Sequence, residues 1–508
     1  MAESSQTFVK VSASESFVKI DPERILAPID DKIYSGFLEH MGRCIYGGIV
    51  DFDCQVKGLT NEKGYRLDVA KALKDLNMPV VRYPGGNFVS SYHWMDAIGP
   101  KENRPRRPEL AWLGEEPNTF GTDEFMEWCE FMEIEPYLCL NMGTGTLDEA
   151  LAWVEYCNSD KNTYYANLRR KNGHEKPYNV KYWSLGNEVW GPWQVGQMTS
   201  EDYGKKAFQW AKALKLLDPT IKLVACGCTG FDNWDYYVTQ ALVSKVDYHS
   251  IHLYTAHEDY YKNVTSPAAG ERAIQITAKL IDLAKITQNA FDANIKICFD
   301  EWNVWDPVRA NGEFGAEEKY TLSDALAVAS WGNLFIRQAS VVGMANIAQC
   351  VNVIAPVMTT KTGMFLQTIY HSFLLFCKYM RGEAINVHFG SPVYTGDTDG
   401  SAGDLKWIKS VEPVLTMLDV SAAIKDGVIS IAVVNRSLEE DLTTSFRLEG
   451  KYKDSVETYT IYHDDVMATN TIDKPDVVGI KEEKISLDKL SSYTVLKHSF
   501  VLIRVTIA

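Results

Sequence analysis

Eight apolar, β-branched runs punctuate the first three quarters of this chain, and nearly every gap between them carries an amphipathic helical pattern. The runs lie at 32–38, 78–83, 135–140, 180–185, 221–225, 246–253, 295–299 and 345–351. Helical periodicity covers 62–76, 122–132, 146–156, 200–217, 233–243, 272–287 and 321–340, and a further apolar helix at 364–379 follows the last run. Thr122, Thr146 and Thr199-Ser200 each stand just ahead of acidic residues, the signature of a capped helix start. Strands that are apolar throughout are buried on both faces, which demands a parallel sheet covered by helices. Eight such units predict an α/β fold, a (β/α)8 TIM barrel with long loops over residues 28–384.

Beyond residue 384 the pattern changes to short alternating runs at 411–420, 428–435, 443–448, 457–462 and 500–508, divided by Gly, Asp, Asn and Lys turns. Residues 385–508 are therefore predicted as a C-terminal all-β sandwich, jelly-roll-like. The alternating opening segment, 7–19 within residues 6–27, is expected to add an N-terminal strand to it.

Composition removes several function classes. A net charge of -16 and a pI of about 5.2 argue against nucleic acid or polyphosphate, which call for a basic face. The Arg104-Pro105-Arg106-Arg107 cluster is short, set among acids, and reads as ion pairing in a loop. No run approaches the roughly 18 apolar residues of a membrane span, so no membrane partner is expected. The polar opening, residues 1–10, lacks an apolar secretory core, and a cytoplasmic location is the expectation. Ten scattered cysteines suit reduced core thiols, and Cys226-Gly227-Cys228 has no second pair at zinc spacing. Nucleotide-binding and metalloprotease motifs are missing, so neither metal nor cofactor is expected.

Barrel enzymes carry their chemistry at the C-terminal ends of the strands. These ends are polar: Glu39-His40, then Arg82 through Pro84-Gly85-Gly86 to Asn87, Asn141, Asn187-Glu188, His252 with Tyr254, Asp300-Glu301-Trp302, and Gln349 with Asn352. Any one of them alone reads as a surface or core-satisfied residue, as a lone histidine usually is. Together they line one funnel. Two carboxyls about 5 to 5.5 Å apart, one attacking the anomeric carbon and one protonating the leaving oxygen, suffice for retaining glycoside hydrolysis. Glu188 and Glu301 supply such a pair, on strands read as facing each other across the barrel. Arg82 and Tyr254 are the nearest donors for keeping a nucleophile ionised, and His252 shares a face with Tyr254. Trp94, Trp190, Trp193, Trp302 and Trp305 fall in or beside strand-end loops, where an indole either stacks on a sugar ring or packs in the core. Arg82, Trp94 and Trp305 join the expected substrate-binding set.

The blocks Glu39-His40-Met41-Gly42-Arg43, Arg82-Tyr83-Pro84-Gly85-Gly86-Asn87, Leu185-Gly186-Asn187-Glu188, Asp300-Glu301-Trp302-Asn303 and Gln349-Cys350-Val351-Asn352 resemble, in order and across the whole barrel, the α-L-arabinofuranosidases of glycoside hydrolase family 51. The resemblance implies a retaining exo-hydrolase that releases terminal non-reducing α-L-arabinofuranosyl residues from arabinoxylan, arabinan or their oligosaccharides by double displacement. Glu188 resembles the acid/base and Glu301 the nucleophile. By the same likeness Glu39, Asn87, Asn187 and Gln349 hold the hydroxyls of the terminal sugar, Tyr254 orients the nucleophile, and His252 is its pocket neighbour. Bacterial members further suggest a homo-oligomer. Two departures bear on the leaving group: Trp190 precedes Gly191-Pro192-Trp193 where many bacterial members carry Asp, and the loop 306–319 is shorter. Other readings are a different barrel glycosidase, a β-xylosidase or endo-β-glucanase, and a non-catalytic sugar-binding barrel. The presence of both glutamates argues against the last. An exo-enzyme needs a closed pocket and an endo-enzyme a trench.

Overall fold

Eight parallel strands close on one another in sequence order. In the computed structural model, which describes residues 8–10, 16–312, 315–395 and 415–508, they are β1 (Ser35–Phe37), β2 (Val80–Tyr83), β3 (Glu135–Cys139), β4 (Tyr182–Leu185), β5 (Lys222–Ala225), β6 (Tyr248–Thr255), β7 (Lys296–Val304) and β8 (Val342–Ile347). Each pairs in parallel with the next, and β8 returns to β1 through Asn346↔Ser35 and Ile347↔Gly36. Val80, Tyr137, Tyr182, Val224, Cys298 and Met344, from six different strands, pack into one buried cluster. The barrel interior is thus a filled core, and the polar side chains sit above it.

Several boundaries differ from expectation for local reasons. The segment expected to open the first strand is a 3-10 turn, Asp31–Tyr34, because the Asp30 carboxylate accepts the Lys32 amide at 3.1 Å and draws the chain round before β1 begins. β8 starts and ends earlier than the run 345–351. The expected helix 364–379 begins only at Thr368, its first residues pairing as the strand Met364–Leu366 against Val357–Thr359. Thr146 and Thr199 cap their helices as expected, through the amides of Glu149 and Asp202. At the helix Thr122–Met132 the cap is Gly121, whose added Cβ would lie 2.0 Å from the Ala97 carbonyl oxygen. Only glycine fits that approach. The helix Tyr164–Lys171 and the strand Ile480–Ser486 carry too little apolar periodicity to be foreseen.

Two antiparallel-rich sheets follow the barrel. The larger runs Ile480–Ser486, Tyr452–Ile461, Ser499–Ile507, Val428–Asn435, Leu418–Lys425, Glu383–Ile385 and Ile25–Pro28. The smaller runs Phe8–Lys10, His388–Ser391, Ser16–Ile20, Leu442–Leu448 and Tyr493–Val495. Val18, Ile20, Val420, Ile431, Phe446 and Ile503 meet in the core between them. Parts of the runs expected at 7–19 and 411–420, namely residues 7, 11–15 and 411–414, lie outside the described residues, as do 313 and 314 of the loop 306–319.

The sandwich packs on the helix Leu322–Arg337, which is buried along nearly its whole circumference. Its N-terminus is a reciprocal capping box, with Thr321 and Asp324 exchanging side-chain and amide bonds. Ser323 and Leu322 donate their amides to the carbonyls of Val466 and Ala468, at 2.9 and 3.0 Å, in a sandwich loop. At the far end Arg337 bonds Asp419 at 2.8 Å and Glu271, while Arg436 lies 3.3 Å from the same Asp419. All four charges are removed from bulk water to a large degree, so each depends on the others. Asp419→Ala leaves Arg436 buried with no carboxylate among the ion pairs formed here. The expected loss is about 3–5 kcal/mol, read as a lowered denaturant midpoint in equilibrium unfolding; an unchanged midpoint would show that the cluster carries no stability.

Candidate active site

The polar strand ends converge because the backbone is irregular where they lie. Between Ser250 and His252 of β6, the partner strand β7 advances from Cys298 to Glu301, one residue more. This bulge lets two consecutive residues, Asp300 and Glu301, both turn into the barrel, where a regular strand would send one of them outward. Glu188, just past β4, holds a φ of +43°, a left-handed backbone uncommon for a residue with a Cβ and costing on the order of 1–3 kcal/mol. Gly86 permits a third close approach: a Cβ there would lie 3.2 Å from Glu301 Oε1 and 3.3 Å from Glu39 Oε2. Gly85 is tighter still, with an added Cβ 2.6 Å from Glu39 Cγ. The chain passes between two carboxyls because it has no side chains at these two positions.

Beneath the pocket Arg82 is fully buried and ties three residues together. Its Nη1 donates to Glu301 Oε1 at 2.6 Å, its Nη2 donates to Asn187 Oδ1 at 2.6 Å, and its Nε stands 3.4 Å from Asp300 Oδ2. The guanidinium lies over the Phe37 ring, 4.6 Å from its centroid. Tyr254 donates its phenol to Glu301 Oε2 at 2.8 Å, so both oxygens of that carboxylate are engaged. Burial and then the Glu301 charge hold the phenol well above its ordinary range, which keeps it a donor.

His252 joins the carboxylates. Its Nδ1 lies 3.0 Å from Glu188 Oε1 and 3.6 Å from Glu301 Oε2, and its Nε2 lies 3.0 Å from Asp300 Oδ1. Burial alone would lower the imidazole, but the charges of Glu301 and Asp300 outweigh it and carry its pKa to about 10. Burial would likewise raise Asp300, yet Arg82 and His252 hold it well below the usual carboxylate range. Asp300 also accepts from Tyr137 at 2.8 Å and from Ser250. Two buried cations therefore face two buried carboxylates.

Glu39 closes the opposite wall. It accepts from the Phe88 amide at 3.0 Å, Trp112 Nε1 at 3.1 Å and Gln349 Nε2 at 3.0 Å. Burial, aided by the Glu301 charge, lifts its pKa to about 8 against the pull of the Phe88 and Trp112 donors. Gln349 Oε1 has no protein partner. Asn87 Oδ1 lies 3.5 Å from Asn187 Nδ2.

Glu39, Asn87, Glu188, His252, Tyr254, Glu301 and Gln349 line a cavity of about 600 Å³, with Trp112, Trp190, Trp193 and Trp305 on its walls. Trp193 is 56% exposed and donates Nε1 to Glu188 Oε2 at 3.3 Å. Trp190 is fixed by its Nε1 bond to the Gly227 carbonyl at 2.9 Å. The turn Cys226-Gly227-Cys228 is structural: the Cys228 amide bonds Asp235, and a Cβ on Gly227 would meet the Ser250 carbonyl at 1.8 Å. Trp305 packs edge-on to Tyr254, with centroids 5.3 Å apart.

Four expectations need correction. Trp94 does not reach the pocket: it is 2% exposed, stacks with Trp153 and donates Nε1 to the Glu149 carbonyl. Arg82 and Asn187 do not line the cavity and act from below, through Glu301 and Asn87. Trp302 points away, into a cluster with Trp331, Phe335 and Phe373. β4 and β7 are not opposite one another; β5 and β6 stand between them on one side, and His252 of β6 bridges the gap. Asp300, expected among the polar strand ends, turns inward through the bulge and holds Arg82 and His252 without lining the cavity. One contributor was not foreseen. Trp112 comes from a non-periodic loop whose Glu109 carboxylate accepts the amides of Ala111 and Trp112 at 2.7 and 2.6 Å.

One donor atom from each of Glu188, His252 and Glu301 lies within 4.8 Å of the others, a spacing a metal ion could use. Both nitrogens of His252 already serve carboxylates, and its raised pKa means that a metal would have to expel a proton. The set fits proton chemistry better than ligation.

Comparison with known proteins agrees with this geometry. Family profiles described as "Alpha-L-arabinofuranosidase 1 domain" and "Alpha-L-arabinofuranosidase C-terminal domain" match residues 72–270 and 300–499. The "Probable alpha-L-arabinofuranosidase C" of Aspergillus clavatus is 54% identical, covering 98% of this chain and 99% of that relative. The "Intracellular exo-alpha-(1->5)-L-arabinofuranosidase 1" of Bacillus subtilis is 36% identical, covering 90% and 92%. Among solved structures, the arabinose complex of the Thermotoga maritima α-L-arabinofuranosidase is 39% identical with a TM-score of 0.88, covering 97% of this chain and 100% of that one.

The Glu39 shift predicts a pH signature. Its pKa is about 8 when folded and near 4.3 when unfolded. Between those values the folded state binds the extra proton, so this group's contribution is full below about pH 4 and is lost as pH rises toward 8. Glu39→Gln removes that loss. Stability of the variant relative to wild type should therefore climb from pH 5 to pH 8 in parallel denaturation series; a flat difference would refute the raised pKa.

Proposed function

The chain belongs to the α-L-arabinofuranosidases of glycoside hydrolase family 51, and on that premise we propose that it removes terminal non-reducing α-L-arabinofuranosyl residues from arabinoxylan, arabinan or their oligosaccharides by double displacement, with Glu301 as nucleophile and Glu188 as acid/base. The observation that carries the mechanism is the separation of the two carboxyls. Oxygens of Glu188 and Glu301 come within 4.8 Å, close to the roughly 5–5.5 Å of retaining enzymes and too near for the water that inverting enzymes place across about 6.5–9.5 Å.

The roles follow from the surroundings. Glu301 has both oxygens held, by Arg82 and Tyr254, and is aimed from the end of β7. Held in this way it attacks the anomeric carbon while Glu188 protonates the departing oxygen. Glu188 then takes a proton from the water that cleaves the glycosyl-enzyme. His252 sits between the two carboxyls as a fixed positive charge across the neutral pH range. Glu39, Asn87 and Gln349 offer a polar wall for sugar hydroxyls, on which Glu39 below about pH 8 donates as well as accepts.

An exo mode is supported by the shape of the cavity. Its lining is drawn from around the barrel and includes Trp112, Trp190, Trp193 and Trp305, whose indoles wall the two carboxyls, where an endo-enzyme needs a groove open on two sides. The word "exo" in the Bacillus subtilis relative's name points the same way.

Glu188→Ala is expected to lose about 10²–10⁴-fold on natural saccharides and far less on an aryl α-L-arabinofuranoside with a good leaving group. Azide should restore its turnover by attacking the glycosyl-enzyme, giving the α-arabinofuranosyl azide. Glu301→Ala cannot form that intermediate, and azide there should give the β-azide. Product anomers identified by NMR decide the assignment: the same anomer from both variants, or equal losses on both substrates, would overturn it.

A further inference from the structure

A second cleft opens on the sandwich and shares no lining residue with the barrel pocket. It encloses about 830 Å³ against about 600 Å³ for that pocket. The cleft arises because the two sheets are unequal. The larger sheet ends in the edge strand Ile480–Ser486, while only the three-residue strand Tyr493–Val495 stands opposite it in the smaller sheet. Thr460 pairs with both Lys481 and Val501, so these three share the inward face, and Val501 belongs to the core between the sheets. The inward face therefore turns from apolar to polar toward its open end.

The chemistry of the walls selects the ligand. Val495, Val501 and Ile485 form an apolar base, and the half-buried Tyr462 and Tyr493 stand on the walls. Both rings are held in place beforehand. Tyr462 stacks on His498 at 5.3 Å with planes 17° apart and donates to Asp464 Oδ1 at 2.6 Å, while Tyr493 packs edge-on to Phe446 at 6.1 Å. Fixed aromatic faces bind at low entropic cost. Thr460 and Ser492 add hydroxyls that exchange hydrogen bonds with other hydroxyls.

Other ligand classes fit less well. The lining contains no arginine; Lys481, paired with Glu483 at 3.1 Å, stands with Lys484 and Lys489 on exposed, flexible stems, so an anion finds solvated point charges and no bidentate donor. An added peptide strand would have to dock on Lys481-Glu482-Glu483-Lys484, and charges of this kind protect sheet edges from such pairing. A neutral polyhydroxylated chain, apolar on its ring faces and polar at its rim, matches the fixed tyrosines, the apolar base and the hydroxyls together.

We propose that this cleft is an ancillary subsite for the neutral saccharide chain that bears the arabinofuranosyl groups, an inference that rests on the hydrolase reading above. It holds the chain while the barrel pocket works on a terminal residue, and it plays no part in bond cleavage.

The test is affinity electrophoresis of the full chain in gels containing soluble arabinoxylan, run with saturating free L-arabinose to occupy the barrel pocket. Two variants are compared with wild type: Tyr462→Ala, which removes an aromatic face, and Ser492→Arg, which crowds the cleft from an exposed lining position. Wild type should be retarded and each variant should bind about fivefold or more weakly, the effect of losing roughly one aromatic contact. Turnover of an aryl α-L-arabinofuranoside should be unchanged in both. Equal retardation of the variants and wild type, or no retardation of a wild type that turns over the aryl substrate, overturns the subsite and leaves the hydrolase reading standing. A wild type inactive on the aryl substrate would sink the hydrolase reading itself, and this inference with it.

Discussion

A single buried guanidinium makes the catalytic floor possible. Asp300 and Glu301 are neighbours in sequence and both face the barrel interior, where two carboxylates would repel strongly with little water to screen them. Arg82 lies between them, bonded to Glu301 and close to Asp300, and its second nitrogen fixes Asn187 at the end of β4. His252 supplies the other positive charge, so two cations are gathered beside Asp300 and Glu301 in a chain that as a whole carries -16. Removing either cation would leave a carboxylate uncompensated in a dry environment, the costliest kind of deletion in a protein core.

Much of this was readable from the amino acids. The eight strands were legible because burial on both faces writes itself as uninterrupted apolar runs, and the polar residues that end those runs mark the open face of the barrel. Glu39, Asn87, Glu188, His252, Tyr254, Glu301, Gln349 and Trp305 all meet around one cavity. What escaped reading depends on contacts distant in sequence. The bulge that lets Asp300 and Glu301 turn inward side by side breaks the alternation on which strand reading relies. Trp112 reaches Glu39 from a loop with no period. Trp94 stands beside a strand end but is covered by Trp153 and Tyr156, and nothing local distinguishes it from an indole in the pocket.

The barrel and the sandwich are joined through surfaces that neither would present to water alone. The helix Leu322–Arg337 lacks a polar outer face because strand Leu418–Lys425 and a sandwich loop cover it, and its first amides are satisfied by sandwich carbonyls. The same helix follows β7, the strand that carries Glu301. The sandwich therefore braces the outside of the barrel on the side where the nucleophile is held.

The position of the strand Ser16–Ile20 sets a timetable for synthesis. It lies between His388–Ser391 and Leu442–Leu448, so it leaves the ribosome ahead of the whole barrel and is seated only when the far end of the chain arrives. Residues 20 and 442 are separated by roughly 420 positions, about 20 to 80 seconds of translation at ordinary elongation rates. For that interval a short strand with an alternating apolar face has no native sheet to join. Any slowing of elongation through the barrel lengthens the interval in proportion, and with it the chance of a wrong pairing at this one strand.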